Sequence, residues 1–542
     1  MIVYPVLVII AKKSITLSSQ LDLRLKQLDL KAVQHTILES SLSGIEKENL
    51  RVTPQGLLAA TRHPQRLGAS LTHPFITTDY AENLIEIITP PMNSVPHVLA
   101  QLENTYRYVY ASLDTELLWA PSMPCTIASP NEIPIAQYGS SHRGRLQTLY
   151  RVGLGHRYEK KMQTIAGIHF NFSLPLSFWQ IWRDLYAPQT SSLQAMIDEA
   201  YLGLLRNFFR YGWLIDYLFG ASCAIDHTFV SGRNVPGLVP YKQQSFYAPF
   251  ACSLRMSDLG YHNATQKQIN ISFNSLSAYL NDLNAAIKTP YPPYQAIFDK
   301  FGEDAQISAH LLQSEAEYYA PARPKRVVEP GERQAHALLR AGIEYLEIRT
   351  FDINPYEPLG ITLDQIYFTE VFLLYCLFTD SPLFKDGDYQ ALLANMQTVV
   401  TMGRKPDCVL KNPNTHENSL LQDALSALFQ ELYKIADFLD SRSLERRYHQ
   451  ALDNIAQRLT HPELLPSAQM LNDLLHHYDS FSELGLDCSA KIKQHFTRAP
   501  LSDIQLAEYQ QLAQESIQNQ SILEAQQTGS FKAYLADYFK EK

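Results

Sequence analysis

Four short stretches of this chain alternate polar and apolar residues with the two-residue period of a β-strand. They are Gly44-Ile45-Glu46-Lys47-Glu48-Asn49-Leu50, Leu84-Ile85-Glu86-Ile87-Ile88, Ile168-His169-Phe170-Asn171-Phe172-Ser173 and Tyr345-Leu346-Glu347-Ile348-Arg349. Successive strand side chains point to opposite faces, so Glu46 and Glu48 share a face, as do His169, Asn171 and Ser173, and as do Glu347 and Arg349. In the last three stretches the other face carries Ile85 and Ile87, Phe170 and Phe172, or Leu346 and Ile348. A sheet built from these strands gathers carboxylates, a histidine and an arginine on one wall. A wall of like charge is unfavourable unless positive groups sit against it, and divalent cations answer that need.

A formal charge of −9 argues against a nucleic-acid binder, which normally presents a basic surface. The basic run Arg323-Pro324-Lys325-Arg326 is short and suits a few phosphate or carboxylate groups better than a polyanion. Six cysteines at wide intervals, with no CxxC, form neither a zinc site nor a dense disulfide framework. That usage points to a reducing cytoplasm, though one pair can still bond. The apolar run Ile2–Ile10 is about half the ~20 residues of a membrane span and has no basic region before it, so a short strand or a leader ahead of the fold is expected.

The 542 residues allow up to about three domains. Residues 1–40 read as an N-terminal extension, residues 41–360 as a catalytic region of strands and helices, and residues 361–542 as a helical region packed on it. Apolar spacing predicts helices over about Val95–Asp114 and Ala200–Phe219. Beyond residue 360 the stripe Leu421, Leu425, Leu428, Leu432, Ile435, Leu439 is helical, Leu452, Ile455 and Leu459 continue it, and the Gln-rich tail from Asp503 is helical as well. The chain is thus of the α+β class.

Asp79 and Glu86 flank the run Tyr80–Ile85, and with Glu46, Glu48 and Glu347 they make five carboxylates able to converge. Hard oxygen ligands with one imidazole suit Mg²⁺ or Mn²⁺. The plainer alternative is five separate solvated acids, and it weakens because four of them sit in or beside strands rich in Ile, Leu and Phe. His169 is either a satisfied core residue or a ligand; Asn171, two positions along, favours the site. Arg349 is either a salt-bridge partner of Glu347 or a guanidinium placed for a transferring phosphate, on whose oxygens charge builds. There is no GxxxxGK[ST], no GxGxxG after a strand, no GxSxG and no HExxH. A nucleotide bound here is therefore held mainly through metal ions rather than a glycine cradle.

In this setting the segment Gly44–Arg51 resembles the N-terminal signature of the proteobacterial glutamate–cysteine ligases. The likeness continues through Leu71–Glu82, Leu84–Pro90, Pro121–Cys125, Ala136–Ser141, Met162–Pro175, Leu254–Tyr261, Tyr319–Arg326 and Gly342–Arg349. It is strong over residues 40–360 and looser beyond. The resemblance implies a glutamine-synthetase-like fold, a curved antiparallel sheet forming a funnel among helices. It implies ATP-dependent joining of the L-glutamate γ-carboxyl to the L-cysteine amine through a γ-glutamyl phosphate, the first step of glutathione synthesis, with feedback inhibition by glutathione and no nucleic-acid or membrane partner.

By the same resemblance Glu46, Glu48, Asp79, Glu86, His169 and Glu347 ligate Mg²⁺ or Mn²⁺, and Arg349 faces the γ-phosphate of ATP. Gln163, Asn171, Arg151 and Arg255 hold the amino-acid substrate, Arg255 being suited to pair with the glutamate α-carboxylate. Tyr80, Tyr150, Tyr261 and Tyr319 line the cysteine pocket, while Cys125 is structural. Lys47, Asn49, Tyr80 and Phe170 depart from the residues common at those positions, and none is an implied metal ligand. Two other readings stay open: a related carboxylate–amine ligase with another amine acceptor, and a non-catalytic nucleotide-binding relative.

Overall fold

The computed structural model describes residues 18–190, 192–242, 244–260, 269–412 and 415–540. The apolar run Ile2–Ile10 and Tyr261 lie outside the described residues. At the centre is an antiparallel sheet of seven strands among the described residues. In chain order its first five are β1 (Leu42–Val52), β2 (Ile76–Thr78), β3 (Leu84–Ile88), β4 (Leu117–Leu118) and β5 (Ile168–Ser173). A small separate sheet holds β6 (Ala224–Asp226), β7 (Val239–Tyr241) and β8 (Ser245–Tyr247); then β9 (Ala322–Lys325) and β10 (Tyr345–Phe351) complete the central one. The spatial order is β2-β3-β1-β5-β10-β9, with the short β4 beside β1. The four stretches predicted as strands are β1, β3, β5 and β10.

Register decides which distant residues meet. Glu48 stands opposite Glu86, which stands opposite Thr77. Glu46 stands opposite His169. Asn171 stands opposite Glu347, which stands opposite Arg323. Residues directly opposite one another share a face, so these three rungs put the acids, the histidine and Arg323 of β9 on one side of the sheet. A bulge in β10 between Ile348 and Phe351 follows, and bulges re-aim the side chains they carry.

The other side is the core. Ile45, Ile85, Ile87, Phe170, Phe172, Leu346 and Ile348 are buried there. Helix Val95–Ser112 packs Val98, Leu102, Tyr106 and Val109 into that core. Lys47 and Asn49 also point into this side. Asn49 is bonded by Tyr106 Oη and donates to the Trp119 carbonyl at 2.8 Å. Lys47 places its ammonium 4.5 Å from the centre of the Tyr106 ring, and burial lowers its pKa to about 7. Helix Leu363–Phe378 is buried on every side from Gln365 onward, as expected of a helix apolar all round.

The helical remainder is bound to this body along its length. Helix Phe481–Arg498 stacks Phe496 on Tyr106 at 5.1 Å, and helix Asp503–Gln526 stacks Tyr509 on Tyr108 at 4.9 Å. The latter helix opens with a capping box, Ser502 and Gln505 bonding reciprocally. Helices Ser18–Asp29 and Val33–Ser40 lie on the same helical layer, with Lys434 3.1 Å from Asp22 and Arg24 donating to the Phe378 carbonyl at 2.7 Å. The stripe beginning at Leu421 is one helix, Leu421–Asp440. The helix expected over 200–219 instead begins at Leu193, where the Ser192 hydroxyl caps the Ala195 amide, and breaks at Gly212 into Leu193–Tyr211 and Trp213–Phe219. All six cysteines are free and buried.

Candidate active site

The polar side of the sheet opens on a cavity of about 280 Å³. Glu46, Glu48, Asp79, Glu86, His169 and Glu347 all line it, as do Arg349, Arg255, Arg151, Gln163, Tyr80, Tyr150 and Tyr319. Segments separated by about 300 residues of chain, as Glu46 and Arg349 are, are thereby brought to one place. Asn171 is not in the lining. Its Nδ2 donates to Glu46 Oε1 at 2.8 Å, so it orients a carboxylate of the wall.

Each carboxylate is set by the backbone near it. Asp79 follows β2 directly, and its amide bonds the Leu84 carbonyl, closing the turn that leads into β3 and Glu86. Glu48 accepts the Gly167 amide at 2.8 Å, while its own amide donates to the Gly167 carbonyl at 3.1 Å. Gly167 leaves no room for a side chain: a Cβ there would overlap the Arg255 guanidinium, whose Cζ lies 2.5 Å from that position. Glu46 Oε2 meets His169 Nδ1 at 3.1 Å.

The electrostatics divide the cavity into two poles. Burial raises the pKa of Glu86, and the negative Glu46, Asp79 and Glu48 push it well above the usual carboxylate range. Burial, with Asp79 beside it, moves Glu48 up to about 8. Burial is the largest influence on Glu46 and opposes its ionisation, but the hydrogen bond from His169 and the charges of His169 and Lys325 together outweigh it, and the pKa falls. Burial lowers the His169 pKa, helped by the charge of Arg349, which favours the neutral imidazole, the form that ligates a metal. At the other pole Glu347 resists burial because Lys325, Arg349, His169 and Arg323 surround it, and its pKa lies well below the usual range. Arg349 Nη1 is 3.1 Å from Glu347 Oε2, and Lys325 Nζ is 3.5 Å from Oε1.

A divalent cation fits the first pole. One donor atom from each of Glu46, Glu86 and His169 lies within 4.8 Å of the others. Glu48 and Glu86, held above their normal pKa by burial and by neighbouring negative charge, are what an added cation would restore to the ionised form. The donor set, oxygens with one imidazole, suits Mg²⁺ or Mn²⁺.

The guanidiniums are anchored rather than loose. Arg151 Nε bonds the Asp79 carbonyl, and its Nη1 bonds Gln147 Oε1 at 2.9 Å. Arg255 donates to the Arg349 carbonyl at 2.9 Å and lies 3.8 Å from Asp352. Asp352 is itself held by the Ala221 amide and the Ser222 and Ser253 hydroxyls. Tyr319 Oη donates to Gln163 Oε1 at 3.2 Å, tying an aromatic wall to the amide. Cys125 is buried away from the cavity, and burial raises its thiol pKa.

Sequence reasoning named Lys325 only within a basic run suited to phosphate or carboxylate groups, without placing it at the site, and missed Asp352. Lys325 lies in the noted basic run, but Pro324 hides the strand, because proline is tolerated there only on an edge such as β9. Asp352 sits past the end of β10, where alternation no longer says which way a side chain points.

Comparison with known proteins places this site in context. A family model described as glutamate-cysteine ligase matches residues 25–399. A glutamate–cysteine ligase of Alcanivorax borkumensis is 42% identical over 504 residues, covering 92% of this chain and 95% of the relative. One from Pseudomonas aeruginosa is 42% identical over 503 residues, covering 93% and 94%. The crystal structure of the glutamate–cysteine ligase of Francisella tularensis in complex with AMP superposes with a TM-score of 0.86 at 33% identity, covering 92% of this chain and 97% of that one.

Proposed function

This chain belongs to the glutamate–cysteine ligase family and catalyses ATP-dependent formation of γ-glutamylcysteine, the first step of glutathione synthesis, and we propose that it does so by way of a γ-glutamyl phosphate formed in the two-pole cavity. The observation that carries this reading is the convergence of Glu46, Glu86, His169 and Glu347 on one face, beside Arg349.

A carboxylate is a poor electrophile, so phosphorylation must come first, and that brings one anion against another. Glu46, Glu48, Asp79, Glu86, His169 and Glu347 would hold Mg²⁺ or Mn²⁺, which supplies charge neutralisation and alignment of the triphosphate. Arg349, fixed by Glu347 and placed at the bulge of β10, meets the charge that builds on the γ-phosphate oxygens. Arg255 receives the glutamate α-carboxylate on a guanidinium pressed flat against Gly167, with Asp352 behind it. Arg151 and Gln163 complete the amino-acid subsite.

Tyr80, Tyr150 and Tyr319 present aromatic surface to the side chain of cysteine. Tyr261 is assigned to the same pocket by resemblance. The cysteine amine attacks the acyl phosphate as the free base, after its proton passes to a carboxylate of the wall or to a phosphate oxygen. No group of the protein becomes covalently attached to substrate in this scheme. Glutathione carries both a γ-glutamyl and a cysteinyl unit, so it fits both subsites and acts as a feedback inhibitor.

Residues 41–360 supply the chemistry, and the helices of 361–542 support it. No helix among the described residues is long and apolar enough to cross a membrane. We assign the protein to the cytoplasm, with which six unpaired cysteines agree.

The test is ADP release with glutamate and a panel of amines. Cysteine should give the highest kcat/KM, with 2-aminobutyrate, its near isostere, behind it by about 10–200-fold at most, the range of one small group in a packed pocket. Equal rates with cysteine and unrelated amines would overturn the acceptor assignment.

A further inference from the structure

We propose that Lys325 is a second phosphate-binding cation of this enzyme, contacting the β- or γ-phosphate of ATP from the edge strand of the sheet. The proposal rests on the reading above, in which the triphosphate enters the cavity beside Glu347 and Arg349.

Along β9 the residues alternate, and Arg323 and Lys325 share the face of Glu347 and Tyr345, their opposite numbers on β10. The two basic residues are not equivalent. The Arg323 guanidinium is 7% exposed as a residue and is committed to the Ala316 carbonyl at 3.1 Å and to the Tyr318 carbonyl. Lys325 keeps 23% of its side chain exposed, against 4% for Glu347, and it lines the cavity. Its ammonium lies 3.5 Å from Glu347 Oε1, longer than the roughly 2.7–2.9 Å of a charge-assisted hydrogen bond.

Charge counting points the same way. Glu347 has Arg349 on one oxygen and Lys325 on the other, with Arg323 opposite it across the strands. The charge of Lys325 also reaches Glu46 and that of Arg349 reaches Glu48, so the basic groups face the carboxylate wall across the cavity. A divalent ion held on that wall would satisfy the same carboxylates and leave these basic groups available to an anion. A triphosphate carries enough charge to meet both them and the bound ions. An ammonium on a flexible stem suits a phosphate as a point charge.

Nucleotide binding with Mg²⁺, measured by calorimetry on the full chain, separates this role from a structural one. Lys325→Gln should weaken ATP by about 10–100-fold, the effect of one lost hydrogen bond to a charged group, while AMP, which lacks the β- and γ-phosphates, changes less than about 2-fold. Lys325→Arg should restore most of the ATP affinity. Unchanged ATP affinity in Lys325→Gln overturns the proposal, as does equal weakening of AMP and ATP, or a rise in glutamate KM alone. If the unsubstituted protein itself binds AMP and ATP equally well, the underlying placement of the triphosphate is what fails. Thermal melting of both variants checks that the edge strand is intact; a melting loss that Lys325→Arg shares, with no selective loss of ATP, likewise counts against it.

Discussion

In Glu347→Gln, turnover falls by roughly 10²–10³-fold or more at saturating substrates, the usual loss when one preorganised electrostatic contact to a transferring group is removed. The substitution keeps the shape of the side chain and removes its charge. Glu347 is 3% exposed and is the sole carboxylate between Lys325, Arg349 and the opposing Arg323 among the contacts described above. Glutamine cannot balance those cations and is a weaker ligand for a hard divalent ion. The Mg²⁺ concentration giving half-maximal activity should therefore rise together with the fall in kcat, while far-UV circular dichroism stays that of the folded chain. Activity within about 3-fold of the unsubstituted protein would remove Glu347 from the reaction.

Arg349→Ala should produce a loss of the same order, about 10²–10³-fold in kcat, for a different reason. Its guanidinium is held by Glu347 at 3.1 Å on a strand that bulges immediately afterwards, a placement that costs little reorganisation when charge builds on the phosphate. The defect should appear in the first half-reaction. With glutamate and ATP but no cysteine, rapid-quench measurement of the initial ADP burst should show it slowed in proportion to kcat. Arg349→Lys, which keeps the charge and loses the planar fork, should fall between. A normal burst in Arg349→Ala with slow cysteine-dependent release would place the residue in the second step instead.

The sequence carried the local pattern of this site more fully than its assembly. Strands β3 and β5 have the expected bounds, because Ile, Phe and Leu on one side and polar residues on the other leave little freedom in which face is buried. That Glu46 meets His169, or that Glu48 meets Glu86, lies in the pairing of strands far apart in the chain, which no local periodicity encodes. Alternation placed Asn171 on the face of His169, but that its amide would donate to Glu46 depends on the β1–β5 pairing. Lys325 was concealed by a proline that an edge strand tolerates. The helix boundary at Ser192 was masked by the aromatic run further on, though the cap itself is a serine at the position where one is favoured.

The most direct measurement is a crystal of the protein grown with Mn²⁺ and a non-hydrolysable ATP analogue, with data collected at a wavelength where manganese scatters anomalously. Anomalous density bounded by Glu46, Glu86 and His169, with the analogue's terminal phosphates between it and Arg349, is the predicted result. Density elsewhere on the surface, with an empty carboxylate pole and the nucleotide bound, would contradict the claim that these distant acids act together to hold cations for phosphoryl transfer.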